Sequence, residues 1–252
     1  MIQSRRIMTA DIIRSLKIDC SCCPIRHRAV CAKCDTDELD RLREIKSYRS
    51  CQAGQVITLR GERLDMVASI VSGTAMLSRS ISDGRTQMIG LLLPSDFIGR
   101  PGRAEAPYDV TAVTDVTLCC FRRGAFEQLM QDMPHVQERL LEMSLDELDA
   151  ARDWMLLLGR KTARERIASL LSLILQRANL PEDLGGKNAR IELPITREAI
   201  ANYLGLTIET VSRQLTALRR DGLISIEGAR GVVISDMDAL IAETGDDDTL
   251  TA

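Results

Sequence analysis

The stretch 196-TREAIANYLGLTIETVSRQLTALRRDG-222 constrains the fold most, because it leaves little freedom of local structure. Thr196 is placed to cap a helix, and Ala199, Ile200, Tyr203 and Leu204 form its apolar face. Gly205 then stops that helix, since glycine takes the left-handed C-cap conformation without a Cβ penalty. Leu206 reads as a buried turn residue and Thr207 as the cap of a second helix. The second apolar stripe is Ile208, Val211, Leu215 and Leu218, spaced three and four apart. The remaining face presents Glu209, Ser212, Arg213 and Gln214. These side chains read base edges: arginine forks onto guanine, glutamate accepts from cytosine, and serine adapts. Two short helices about a tight turn, followed by Arg219-Arg220, predict a helix-turn-helix whose second helix enters a major groove. An αα-hairpin within a core has the same periodicity but needs no base-reading residues at the helix start. The run 223-LISIEGARGVVI-234 alternates around Gly228 and Gly231, which predicts a β-hairpin and hence a winged helix-turn-helix. Thr207, Glu209, Ser212, Arg213 and Gln214 are the candidate DNA contacts, and Lys161, Arg164, Arg219 and Arg220 candidate phosphate contacts.

The net charge of −3 and pI near 5.6 look wrong for a DNA binder until the charge is sorted by region. Residues 160–241 hold 12 basic and 10 acidic residues, about +2, so the rest carries about −5. A locally basic reader on an acidic body is the expected arrangement. There is no apolar run of eighteen residues and no signal peptide, which predicts a cytoplasmic protein. Eight cysteines in a reducing compartment then point to metal or cluster ligation rather than disulfides. Five of them fall in 20-CSCCPIRHRAVCAKC-34. Cys20, Cys23, Cys31 and Cys34 have the spacing of a four-cysteine zinc knuckle, and spacing alone fits zinc and iron–sulfur equally, since both use four thiolates.

The expected architecture is α+β: an N-terminal antiparallel β jelly roll, a long dimerisation helix and a C-terminal winged helix-turn-helix. The expected domains are a cysteine-rich cluster-binding segment over 1–35, the β-roll over 36–133, the dimerisation helix over 134–159, the DNA-binding domain over 160–241 and an acidic disordered tail over 242–252. Residues 1–19 begin with a basic, weakly amphipathic segment. Residues 35–45 look helical, with Thr36 as a cap. From about Ser47 to Arg123, short β-prone runs separated by turns every eight to twelve residues predict the roll: 56–59, 66–71, 74–81, 86–93 and 109–121. Residues 124–133 make a short helix. Pro134 opens a long helix to about Leu158, and 162–178 a further one. Residues 179–190 are a loop. On the long helix Leu141, Leu145, Leu148, Ala151 and Met155 follow near-heptad spacing, an unpaired seam that predicts a parallel homodimer. Packing on its own domain explains the same pattern. Glu142, Asp146, Glu147, Asp149 and Asp153 crowd this helix with like charge, so dimerisation is poised rather than strong.

Roll, long helix and winged helix-turn-helix, in that order, resemble the Crp/Fnr superfamily of transcription regulators. The stretch 205-GLTIETVSRQL-215 resembles the Fnr-type reader, with Glu209, Ser212 and Arg213 at its Glu-x-x-Ser-Arg positions, and 156-LLLGRKTARERIASLL-171 resembles the family's connection into the DNA domain. The resemblance implies a TTGAT-type palindrome with one recognition helix per half-site, and control of anaerobic or microaerobic genes. A cyclic-nucleotide sensor needs an Arg-Ser/Thr phosphate pair, and 98-IGRPGRAEAPYDVTAV-113 offers Arg103 and Glu105 without one. A haem sensor needs an axial histidine, but His27 sits between arginines and neither it nor His135 lies in an apolar strand. The cysteines Cys20-x2-Cys23-x7-Cys31, plus a lone cysteine late in the roll, resemble the Fnr-type [4Fe-4S] oxygen sensor of the alphaproteobacterial branch. By that resemblance Cys119 is the fourth ligand, and Cys120 points to the other sheet face. Cys22, Cys34 and Cys51 have no assigned role. The turn Ser82-Asp83-Gly84-Arg85 resembles a loop that touches RNA polymerase in this family, though a plain hairpin turn reads alike. No Ser/His/Asp set, phosphate loop or paired carboxylates appears, which speaks against an enzyme.

Overall fold

A computed structural model describes residues 18–177 and 189–246. The expectations for the amphipathic segment over 1–17, for most of the loop at 178–188 and for the tail beyond Asp246 lie outside the described residues. The chain divides into two compact units, Met1–Glu147 and Leu148–Ala252.

The first unit is a β-sandwich, matching the expected jelly roll. Its strands are β1 (Lys46–Cys51), β2 (Val56–Thr58), β3 (Met66–Ser72), β4 (Ala75–Ser80), β5 (Thr86–Leu92), β6 (Phe97–Ile98), β7 (Asp109–Ala112) and β8 (Val116–Arg122). They form two four-stranded sheets, ordered β1-β8-β3-β6 and β2-β7-β4-β5. Cys51, Ala68, Ile70, Val110, Leu118 and Cys120 pack together between them. The first sheet is covered on its other face too, where Val67, Phe121 and Phe126 join Val30, Cys34 and Leu42. Burial on both faces explains why β3, apart from Ser69, reads as an apolar run rather than an alternating one.

Several expectations are corrected here. The run 109–121 is two strands, divided at 113–115. Thr74 accepts from the backbone amides of Val113 and Thr114 there, at 2.8 and 3.2 Å. Strand β1 was not anticipated, because KSYRSC carries too much polarity to signal a strand. Helix α1 (Thr36–Ile45) is capped by Asp35, not Thr36: Asp35 accepts from the Glu38 amide at 2.8 Å while Glu38 accepts from the Asp35 amide at 3.1 Å. Between β3 and β4, Gly73 has φ +84°, and a Cβ there would stand 2.1 Å from the Asp115 carbonyl oxygen. Helix α2 (Arg123–Gln131) follows the roll, and α3 (Pro134–Arg160) begins with Val136 buried against it.

The second unit holds the end of α3, then α4 (Ala163–Arg177), β9 (Ala189–Glu192), α5 (Arg197–Leu204), α6 (Ile208–Arg220), β10 (Ile224–Glu227), β11 (Gly231–Ile234) and α7 (Met237–Ala242). The expected hairpin is present and gains an unexpected third strand, giving the order β10-β11-β9. Leu170, Leu171, Ile200, Leu204, Val211 and Leu218 are buried. Trp154 stacks on Tyr203 at 4.0 Å between ring centroids. The start of the expected disordered tail is tied down: Thr244 is buried, Glu243 pairs with Arg164 at 2.5 Å, and Asp246 with Lys161 at 2.6 Å.

Candidate metal centre and nucleic-acid interface

Short backbone turns shape the cysteine loop, with the amides of Arg26, Ala29 and Ala32 donating to the carbonyls of Cys23, Ile25 and Ala29 at 3.0, 2.9 and 2.8 Å, and side chains add to them. Asp19 caps the short 3-10 turn Cys20–Cys22 by accepting from the Ser21 amide at 2.9 Å. Arg26 then donates to three carbonyl oxygens of the loop, those of Cys31 and Ala32 at 2.6 Å each and Cys34 at 2.8 Å. Charge-assisted bonds of this kind are each worth about 1.5–3 kcal/mol, so one guanidinium shapes the whole 31–34 segment. Nothing in the sequence set Arg26 apart from its neighbour Arg28.

The loop closes over a cavity. Cys20, Cys23, Cys31 and Cys119 all line it, with Ile25, Ala29, Val30, Leu39, Leu42 and Phe121 as apolar wall and Lys46, Tyr48 and Ser69 as its polar members. Strand register explains how Cys119 arrives: in β8 it stands opposite Tyr48 of β1 on one side and Ser69 of β3 on the other. Cys120 points the other way, fully buried inside the sandwich with Cys51. Cys34 is buried behind the cavity wall with Val30, Leu42 and Phe126 and does not line the cavity, and Cys22 is exposed. The structure therefore brings together the three loop cysteines and Cys119, and leaves Cys34 out of the cavity.

The donor set fits an iron–sulfur cluster better than a zinc ion. Four thiolates about one zinc stand about 3.8 Å apart, from a Zn–S bond near 2.3 Å in tetrahedral array. Among the described residues no three cysteine sulfurs lie within 4.8 Å of one another, so these thiols stand wider than one tetrahedral ion would hold them. Burial pushes the thiols of Cys23, Cys31 and Cys119 up from their ordinary values, and the neighbouring cysteines reinforce this. A metal bound by these thiols would have to displace their protons. The hydroxyl of Ser69 is buried in this cavity with no hydrogen-bond partner among the described residues. His27 is exposed. His135 Nδ1 lies 2.8 Å from Glu38, whose other role is the α1 cap.

Side chains also tie the loop to α3. Lys33 pairs with Glu138 at 2.9 Å and also with Glu142, while Arg139 donates to the Arg28 carbonyl at 2.8 Å and to Glu142 at 3.1 Å. Along the same helix Leu141, Leu145, Leu148 and Met155 are 61, 52, 45 and 74 % exposed, with Ala151 exposed between them. Among the described residues nothing covers these side chains.

In the second unit the reader is fully built. Thr196 and Thr207 cap α5 and α6, accepting from the Ala199 and Thr210 amides at 3.2 Å each. Gly205 takes φ +63°, ψ 39° between them. Arg166 locks the turn, donating to the carbonyls of Leu158, Lys161 and Leu204 at 2.9 Å each. On α6, Thr207, Glu209 and Arg213 are exposed, and Ser212 and Gln214 half-buried. Ser212, Arg213, Thr216, Ala217 and Arg220 line one open groove. The carboxyl of Glu209 is held below its usual range by its own backbone amide and Thr207, so it stays an acceptor. Two details differ from expectation. Ile208 is 44 % exposed at the start of α6 rather than part of the buried stripe, and Leu206 is half-buried. Lys161 and Arg164 are engaged internally, Lys161 with Asp246 and Arg164 with Asp221 and Glu243, whereas Arg219 and Arg220 are exposed and, among the described residues, Arg220 pairs only with its neighbour Asp221 at 3.3 Å. The turn Asp83-Gly84-Arg85 is exposed between β4 and β5, and Asp83 pairs with Arg85 at 2.8 Å.

Residues 165–243 match the Crp-like helix-turn-helix domain, and residues 48–133 the Cyclic nucleotide-binding domain. The chain is 58 % identical over 95 % of its length to the transcriptional activator protein FnrL of Cereibacter sphaeroides, covering 97 % of that protein. It is 28 % identical over 97 % of its length to the fumarate and nitrate reduction regulatory protein of Salmonella typhi, covering 98 % of it. Among solved structures it is similar to FixK2 from Bradyrhizobium japonicum, with TM-score 0.73 and 31 % identity over 81 % of this chain and 99 % of that one. On this fold, this reader and these relatives, the chain belongs to the Crp/Fnr family of transcription regulators, in its Fnr-type branch.

Proposed function

We propose that this chain is a transcription activator that senses oxygen, with Cys20, Cys23, Cys31 and Cys119 as the ligands of a [4Fe-4S] cluster. The observation that carries the reading is the meeting of three loop cysteines and one roll cysteine in a single apolar cavity. Similarity to FnrL and to the fumarate and nitrate reduction regulatory protein supports it. When bound, the cluster supplies an oxygen-labile centre held by four thiolates.

The chain's own residues supply the rest. Cys20, Cys23 and Cys31 fasten the loop to Cys119 of β8, so the loop's position depends on all four side chains. Arg26 keeps segment 31–34 in one shape, which presents Lys33 to Glu138 and Glu142. Two carboxylates of α3 are neutralised there, and Arg139 grips the loop from the same turn. Fixing the loop thus lowers like-charge repulsion beside Leu141 and Leu145 and favours pairing of two α3 helices through Leu141, Leu145, Leu148, Ala151 and Met155. Covering one exposed leucine is worth about 1.5–3 kcal/mol, so a bias of a few kcal/mol moves the monomer–dimer equilibrium across its midpoint. The homodimer sets two α6 helices about 34–36 Å apart, one per half-site of a TTGAT-type palindrome. Arg213 forks onto guanine, Glu209 accepts from cytosine, and Thr207, Ser212 and Gln214 complete the reading face. Asp83, Gly84 and Arg85 are an exposed turn suited to contact with RNA polymerase. The protein works in the cytoplasm; no helix of the described residues is long and apolar enough to cross a membrane.

The test is metal analysis of anaerobically purified protein and two variants. Wild type and Cys34→Ala should carry iron and sulfide with visible absorption, and Cys119→Ala should carry neither. Zinc without colour in wild type, or loss of metal in Cys34→Ala with retention in Cys119→Ala, refutes the ligand set.

A further inference from the structure

The cavity contains more polarity than four thiols require. Ser69 lies in the middle of β3, 2 % exposed, and its hydroxyl finds no partner among the described residues. It stands directly opposite Cys119, and Tyr48 stands opposite Cys119 on the other side. Cross-strand neighbours share a face and stand about 4.5–5.5 Å apart at Cβ, so the three form a row across the cavity floor, and all three line it. A buried hydroxyl without an acceptor is destabilising. Alanine would occupy this place among apolar neighbours without that cost, so the hydroxyl needs an acceptor that arrives with a guest.

A second donor is already aimed. Lys46, the first residue of β1, places Nζ 3.1 Å from Cys20 Sγ. The ammonium is held there by the Ile18 carbonyl at 2.9 Å and the Tyr48 hydroxyl at 3.4 Å, and that hydroxyl itself donates to the Ile18 carbonyl at 3.1 Å. Lys46 and Tyr48 share the strand face that looks into the cavity.

We propose that Ser69 and Lys46 are hydrogen-bond donors to the sulfur atoms of the bound cluster, Ser69 beside Cys119 and Lys46 at Cys20, and that they set its reduction potential and its lability toward oxygen. The inference rests on the cluster reading given above. Thiolate and sulfide sulfur carry negative charge in the loaded state, and donors stabilise that charge more strongly the more electrons the centre holds. Both donors therefore raise the potential and oppose loss of electrons to oxygen, without contributing a ligand. Lys46 does so with a full charge and Ser69 with a dipole, so Lys46 has the larger effect.

The experiment loads wild type, Ser69→Ala, Ser69→Thr, Lys46→Met and Lys46→Arg anaerobically and measures iron and sulfide per chain. Three quantities are then compared per bound iron: the Fe–S stretching frequencies, the midpoint potential by dye-mediated titration, and the rate of bleaching at one fixed oxygen concentration. Ser69→Ala is expected to bleach about threefold faster, and Lys46→Met about tenfold faster, as loss of one neutral and one charged donor implies. Both should shift the potential negative and raise the stretching frequencies, while Ser69→Thr and Lys46→Arg stay close to wild type. Ser69→Ala and Lys46→Met indistinguishable from wild type in all three overturn the proposal. A wild type that takes up no iron and sulfide overturns the cluster reading itself, whatever the variants do.

Discussion

Helix α6 carries its own caps, its own buried stripe of Val211, Leu215 and Leu218, and a groove whose side chains are already exposed. The cavity beneath the cysteine loop is built on other terms. Burial pushes the thiols of Cys23, Cys31 and Cys119 up, one of its hydroxyls has no partner among the described residues, and its loop rests on short backbone turns, on the Arg26 guanidinium and on links to α3. The reader is built among the described residues, whereas on the proposed reading the sensor is completed by a cluster. On that reading oxygen acts not on the DNA-binding surface but on whether two readers are held together.

The comparison breaks most visibly if the reader's own core is damaged. Leu218 is fully buried, and Leu218→Ala should cost about 2–5 kcal/mol of stability, seen as a lower melting temperature whether or not the cluster is loaded. Cys119→Ala should behave in the opposite way. Helical content and melting of the second unit should be unchanged, while anaerobic DNA affinity falls about tenfold to a hundredfold, the size of a typical coupling between sites. Arg213→Ala should cost about 1–3 kcal/mol of binding, with relaxed preference at one base pair and dimerisation untouched. A competition assay across single-base variants of the palindrome measures it.

How much of this was legible in the sequence follows the same division. The reader could be found almost residue by residue, because caps, stop glycine and apolar periodicity are local signals. Its errors came from distant partners: Lys161 and Arg164 look like free cations until Asp246, Asp221 and Glu243 are folded against them. The sensor site was legible only in its cysteines. Spacing could not separate Cys34 from Cys119, since what separates them is that Cys119 lines the cavity and Cys34 is packed among apolar side chains. Ser69 was invisible, because a serine within MVASIVS gives no sign that β8 will set Cys119 beside it. Strand β1 was overlooked because two of its polar residues, Lys46 and Tyr48, serve the cavity rather than solvent.

Smaller effects sharpen the account. Lys33→Ala removes the tie to Glu138 and Glu142 but leaves every cysteine in place, so cluster content should be normal. Dimerisation should weaken only slightly, as for exposed, solvent-screened ion pairs, measured by analytical ultracentrifugation under nitrogen. The smallest effect is pH-dependent. Hydrogen bonding to Glu38 raises His135 above its ordinary value. A raised histidine contributes stability that is fully present below about pH 6.5 and lost as pH rises through its folded value. His135→Gln should therefore flatten the melting temperature against pH in that window and leave it unchanged well above.

The central claim is tested most directly by one anaerobic preparation taken through air. Sedimentation and binding to a labelled TTGAT palindrome are measured on the loaded protein, and again after oxygen has bleached it. The account predicts a dimer with tight binding before exposure, and mostly monomer with at least tenfold weaker binding afterwards. Equal dimerisation and equal affinity in the bleached, iron-free protein would contradict it.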